Sequence, residues 1–261
     1  MSPVTEILLT SLAAIIGMMI VVWLVAGVRS DVSIIDPFWG IGFVVVTAIA
    51  CWKSAPLYAR AWLLLGLTAA WGVRLSLHLL WRNWGHAEDR RYAAMRERQG
   101  HKFWRTSLFT VFLLQGVILI FVSLPLQIAV AHNESGRLNW LDAAGASSWA
   151  IGFFFESVGD WQLARFQGDR SKEGRVMDGG LWRYTRHPNY FGDFCVWWGL
   201  YLIAGGGGAW WTVLSPLVMS ALLLRVSGVP MLERTITERR PDYAAYKART
   251  NAFFFAPPRA G

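Results

Sequence analysis

Apolar residues along this chain gather into seven runs long enough to cross a bilayer, separated by short polar turns and by two longer polar segments. The runs are Thr5 to Val28, Ile34 to Trp52, Leu57 to Trp81, Ser107 to Ala131, Trp140 to Leu163, Asn189 to Ile203 continuing toward Gly208, and Trp210 to Val229. The pattern predicts an all-α fold, a polytopic membrane helical bundle of seven transmembrane helices. Of the two polar segments, Arg82 to Arg105 contains EDRRYAAMRERQG and reads as a helical extension, whereas Arg165 to His187 is punctuated by Gly168, Gly174, Gly179 and Gly180 and reads as irregular. The tail MLERTITERRPDYAAYKART has helical spacing broken at Pro241, with Tyr243 and Tyr246 on one side of a short second helix.

Composition agrees. A chain that is 54% hydrophobic and only 16% charged, with 16 tryptophans, is not a soluble domain around one core. The formal charge of +8 raises nucleic acid as a partner, but the basic residues sort by side of the membrane instead. With seven spans, 21 of the 25 Lys and Arg residues fall on one face, and only Lys53, Arg60 and Arg137 on the other, while Arg74 lies inside a span. The positive-inside rule then puts the N-terminus outside and the C-terminus in the cytosol, with no role for nucleic acid. The first run lacks the basic n-region of a signal peptide and reads as a retained span. Two cysteines, Cys51 and Cys195, make neither a disulfide framework nor a metal-ligand spacing, so no metal is expected. No G-x-G-x-x-G follows a strand, which excludes a Rossmann domain.

The most informative stretch is GGLWRYTRHPNYFGD, Gly179 to Asp193. Pro188 suits the first turn of a helix, so Arg183, Arg186 and His187 crowd that helix's N-terminus, where backbone N–H groups and guanidinium groups favour an anion. For Arg183 alone a basic cluster that fixes topology is the better reading. Ionisable and amide groups inside the spans share one depth: Asp36, Arg74, His78, Glu156, Asp160, Asn189, Asp193 and Arg225 all fall in the cytosolic half. Three pairs, Arg74 with His78, Glu156 with Asp160 and Asn189 with Asp193, are four residues apart and each occupies one helix face. These predict a polar chamber open to the cytosol and roofed by apolar and aromatic residues such as Trp71, Trp197 and Trp198. The alternative is an ion-pair network that holds helices together, for example Arg74 with Glu156 or Asp160.

GGLWRYTRHPNYFGD, preceded by GDWQLARFQGD and followed by ERTITERRPDYAAYKART, resembles the steroid 5-alpha-reductase family, and SIIDPFWGIGF with RLSLHLLWRNWGHAEDRRY is similar to its bacterial branch of unknown substrate. Related motifs occur in sterol C7 and C14 reductases and in isoprenylcysteine carboxyl methyltransferases. The resemblance implies one integral membrane domain over 1–261, in a bacterial inner membrane, that binds NADPH from the cytoplasmic side and reduces a carbon–carbon double bond conjugated to a carbonyl. Its substrate would be a lipophilic molecule drawn from among the membrane lipids. Helices of 1–131 would form the substrate pocket and 140–261 the cofactor half. Carried over by motif, Asp160, Arg175, Arg186, His187, Asn189, Tyr190, Asp193, Arg225 and Glu233 match positions that line the cofactor, and Arg165 and Tyr184 belong to the same segments. The arginines would hold phosphates, while Asn189 and Asp193 would bond the nicotinamide carboxamide or a ribose.

In the steroid enzymes an acid on the second helix, closely followed by proline, and a tyrosine on the third polarise the substrate ketone. Asp36 before Pro37 matches the acid, and a protonated carboxyl there can donate to a developing enolate. An Asp capping a broken helix start is the competing reading. The tyrosine position falls on Trp71, a poorer proton donor, which leaves Tyr92 or His78 as the donor. A second function class is a membrane methyltransferase using S-adenosylmethionine at the same C-terminal site; a third is a noncatalytic lipid-binding scaffold. Arg165, Arg170, Arg175, Arg183 and Arg186 in one segment favour a dinucleotide over a cationic sulfonium.

Overall fold

The computed structural model of the chain describes all residues except 133–136, 227, 230–232, 234–235, 237–239, 241 and 260–261. Among the described residues the secondary structure is helical, with no strand. The chain divides into two compact units, Met1–Trp140 with Ile203–Ser215, and Leu141–Leu202 with Pro216–Gly261.

In the first unit, α1 (Pro3–Arg29) is capped by Ser2, whose hydroxyl accepts from the Thr5 N–H, and it stops where Ser30 turns left-handed at φ 53°. A 3-10 turn, Val32–Ile35, leads through Pro37 into α2 (Phe38–Lys53), which is followed by α3 (Ala59–Asn83). α2 and α3 meet backbone to backbone. A Cβ on Gly40 would stand 2.3 Å from the Gly72 carbonyl oxygen, and Ser76 Oγ accepts from the Ile41 N–H at 2.9 Å. α4 (Arg90–Gln99) starts at an Asp89 cap and ends at Gly100, whose φ of 55° a side chain would resist. α5 (Phe103–Ser107) then continues through a π-turn, Leu108–Leu113, into α6 (Leu114–Val122) and α7 (Leu124–Ala131).

The sequence reads Ser107 to Ala131 as one span, and the structure corrects this. Pro125 supplies no N–H to the ladder, and the helix breaks at Ser123, whose Oγ donates to the Ile120 carbonyl at 2.9 Å. Four helices among the described residues are long and apolar enough to cross a membrane: Pro3–Arg29, Val32–Lys53, Ala59–Asn83 and Arg90–Val122. Trp210–Val226 is a shorter apolar helix. The fifth and sixth sequence runs form long helices too, α8 (Trp140–Gln167), which carries Asp142, Glu156 and Asp160, and α9 (Pro188–Gly206), which carries Asp193.

Within the second unit α8 and α9 are locked by glycine. Gly145, Gly152 and Gly159 recur every seventh residue on α8, as do Gly192 and Gly199 on α9. A Cβ on Gly192 would lie 2.5 Å from the Gly152 carbonyl oxygen and 2.5 Å from the Glu156 nitrogen. We expect Gly192→Ala to cost about 2 kcal/mol or more, since backbone cannot give way as a side chain does. Gly205→Ala, which meets nothing within 4 Å, serves as the neutral control in the same thermal melts. Beyond α9 come a 3-10 turn (Trp210–Val213), α10 (Leu214–Ala221), a π-turn (Leu222–Val226) and the tail helix α11 (Tyr243–Arg249). The proposed helix break at Pro241 lies outside the described residues.

Candidate functional site

Each unit holds one polar centre. In the first, Asp36 follows the 3-10 turn and its side chain is 15% exposed. It does not cap α2 through its carboxylate, so the capping reading is set aside. Instead the Tyr92 hydroxyl on α4 donates to Asp36 Oδ1 at 3.0 Å, and Arg91 Nη2 stands 3.4 Å from Oδ2. Gln115 on α6 donates from Nε2 to Tyr92 Oη at 3.3 Å. That donation occupies an oxygen lone pair and turns the phenol proton toward Asp36.

The segment before α4 is laced to the turn that carries Asp36. The Val32 N–H donates to Glu88 Oε1 at 2.8 Å, and the Asp89 N–H donates to Ser33 Oγ at 2.7 Å. Burial pushes the Glu88 carboxyl up, but hydrogen bonds from Arg96 and the Val32 N–H outweigh it and hold Glu88 below the usual carboxylate range. Two segments some 56 positions apart in sequence thereby bring Asp36 and Tyr92 together. His78, the other candidate donor, lies on α3 with its ring 6.1 Å from that of Trp81.

In the second unit the arginine–histidine–proline motif does receive an anion, and the anion is internal. Arg186 Nε donates to Glu233 Oε1 at 2.8 Å, His187 Nε2 lies 3.2 Å from the same oxygen, and Lys247 Nζ is 3.1 Å from Oε2. The Tyr243 hydroxyl donates to Oε1 at 3.4 Å. Burial raises the Glu233 carboxyl, yet the bonds from His187, Arg186 and Lys247 prevail and hold it well below the carboxylate range. His187 moves the other way: burial lowers its imidazole, only partly offset by Glu233, so the ring is neutral at pH 7. With an ionised carboxylate as its partner, His187 must carry its proton on Nε2.

The same motif anchors the C-terminal tail. Arg186 Nη1 donates to the carbonyls of Thr250 at 2.5 Å and Lys247 at 3.1 Å, and the Arg186 N–H donates to the Asn251 carbonyl at 2.9 Å. Thr185 Oγ1 reaches the Phe253 carbonyl at 2.8 Å, and Tyr246 Oη the Trp182 carbonyl at 2.5 Å. Tyr184 stacks on Phe255 with centroids 4.7 Å apart.

Beside this anchor, at the start of α9, Asn189 Nδ2 donates to the buried Asp160 Oδ1 at 3.1 Å, and Tyr190 stacks on His187 at 5.5 Å. Asp193 follows one turn later, half-buried. Arg165, Arg175 and Arg225 are exposed; Arg165 lies over the Trp161 ring at 5.7 Å, and the Arg175 carbonyl accepts from Arg240. Sequence reasoning missed Gln115 and Lys247. Gln115 had a signal, as an amide inside an otherwise apolar run; Lys247 had none beyond tail helicity.

Residues 22–250 match the family described as Protein of unknown function (DUF1295). The chain belongs to that family. The match takes in Asp36 and Tyr92 and the cluster of Arg186, His187, Glu233 and Lys247, while the tail residues Asn251, Phe253 and Phe255 that the anchor holds lie just beyond it. The chain is also 27% identical over 216 residues to an uncharacterized protein of Schizosaccharomyces pombe, an alignment covering 72% of this chain. It spans 61% of that relative's length. No solved structure matches the chain.

Proposed function

We propose that this family member is a seven-span inner-membrane reductase that takes NADPH from the cytoplasm and reduces a carbon–carbon double bond, conjugated to a carbonyl, in a lipophilic substrate. The observation that supports this reading is the Asp36–Tyr92 pair, a carboxyl group and a phenol sharing one hydrogen bond while an amide fixes the phenol's orientation. Such a pair suits polarisation of a substrate carbonyl. Tyr92 would turn its proton from Asp36 to the carbonyl oxygen, Gln115 would hold Oη in place, and Arg91 would balance the carboxylate.

The donor set of the second unit fits a dinucleotide in part. Exposed Arg165, Arg170 and Arg175 suit phosphate oxygens, and the Asn189–Asp160 pair with Asp193 offers amide and carboxylate groups for a carboxamide or ribose. Arg186 and His187 fit as supports, because Glu233 and tail carbonyls already engage them. When bound, NADPH supplies the hydride. Orientation and exclusion of water fall to the chain.

The test is thermal. At a hundredfold excess over its dissociation constant a cofactor stabilises by about 2.7 kcal/mol. NADPH should raise the melting temperature of the purified protein, and S-adenosylmethionine should not. The reverse pattern would transfer the reading to a methyltransferase.

A further inference from the structure

A groove of about 500 Å³ runs along the end of α1, lined by Leu24, Ala26, Gly27 and Val28, by Trp104, and at its far end by Ser30 and Arg96. Its wall is built rather than accidental. Trp104 stacks on Trp23 at 4.1 Å, the Trp23 Nε1–H donates to the Trp104 carbonyl at 3.1 Å, and the Trp104 ring lies so close to α1 that a Cβ on Gly27 would come within 2.4 Å of it. Leu24 and Val28 are 52% and 89% exposed, on a helix apolar enough to cross a membrane. Apolar surface of that extent on such a helix belongs against acyl chains.

The other end of the groove is cationic. Arg96 is held by Glu88 through Nε and Nη2 and donates to the Ser30 carbonyl at 3.1 Å, with its side chain still 38% exposed. Arg29 sits between lining residues Val28 and Ser30, Arg105 follows Trp104 in the chain and Lys102 stands two residues before it; all three are exposed. Glu88 balances the charge of Arg96 and accepts from the Val32 N–H, and Asp31 accepts from the Ser33 N–H, so the excess positive charge at this end comes from the exposed Arg29, Lys102 and Arg105. Apolar walls, two tryptophans and a basic end make the chemistry of a phospholipid at the membrane interface.

We propose that this groove is a binding site for an anionic phospholipid, with its acyl chain along Leu24 and Val28 and its phosphate at the end carrying Arg29, Arg96 and Arg105. The site stands independently of the reductase reading. Native mass spectrometry of the full-length protein in detergent, mixed with equal amounts of phosphatidylglycerol and phosphatidylcholine of matched chains, tests it. Retention of phosphatidylglycerol should exceed that of phosphatidylcholine, and the excess should fall about fivefold for each cation removed in Arg29→Gln and Arg105→Gln. Both residues are exposed, so the variants should fold; melting temperatures check this. Gly27→Ala, which forces Trp104 off α1, should lower retention of both lipids. No preference in the wild type, a preference unchanged in the variants, or its loss to excess inorganic phosphate would each overturn the proposal.

Discussion

Replacing Glu233 by alanine is expected to destabilise the protein by about 3–5 kcal/mol, because it strands the Arg186 guanidinium in a buried site with its counter-charge removed. The Arg186 and Glu233 side chains are 8% and 10% exposed, and the same guanidinium holds the tail through the Thr250 and Lys247 carbonyls. A loss of that size in a chain of this length lowers the melting temperature by on the order of 10 °C. Lys247→Ala makes the contrast: its side chain is 52% exposed, and removal of so accessible a partner should cost less than about 1 kcal/mol. Equal losses in the two variants would mean that the carboxylate does not organise the anchor.

Acid should reproduce part of the Glu233 effect. The carboxyl is held low in the fold, so its contribution is complete above the ordinary glutamate value of 4.5 and is lost as pH falls below it. His187 adds to the same slope. Its imidazole is lowered by burial, so below its ordinary value of 6.5 the unfolded chain takes up a proton that the folded chain refuses. Melting temperature should therefore begin to drop below about pH 7 through His187, and below about pH 4.5 it should drop less steeply in Glu233→Gln, which lacks the titrating carboxylate.

The second large effect is on turnover. With NADPH and a panel of lipophilic enones as probes, Tyr92→Phe should lower the rate about 10²–10⁴-fold, the usual worth of a positioned proton donor, and Asp36→Asn, which removes the carboxylate that accepts from that donor, should lower it as well. Cofactor affinity should be unchanged in both, since neither residue belongs to the second unit. Gln115→Leu should fall between wild type and Tyr92→Phe, because it frees the phenol to rotate without removing it. Equal rates in all four proteins would remove the pair from the reaction.

Much of this architecture is legible in the chain. Long apolar runs announce α1, α2 and α3, and the charged EDRRY segment is helical as α4. Pro188 opens α9 as its missing N–H dictates. The break at Ser123 was also written, in Pro125, but the surrounding hydrophobicity masked it. The glycines that lock α8 to α9 recur every seventh residue and can be seen once that period is sought.

Partners in tertiary contact are another matter. Nothing local says that the carboxylate meeting Arg186 and His187 stands some 46 positions downstream, or that Tyr92 closes on Asp36 across 56. Chemistry predicts that converging positive charges require an anion; only the fold reveals that the chain supplies its own. In the proposed function, phosphate contacts therefore fall to the exposed arginines of the segment before it and not to Arg186.

Energy transfer from tryptophan to reduced nicotinamide tests the cofactor assignment most directly. The wild-type protein in detergent should show saturable transfer on titration with NADPH, and Asn189→Ala should abolish it while Arg90→Ala, at an exposed position of the first unit, retains most of it. Absence of transfer from the folded wild type at saturating NADPH would contradict the account.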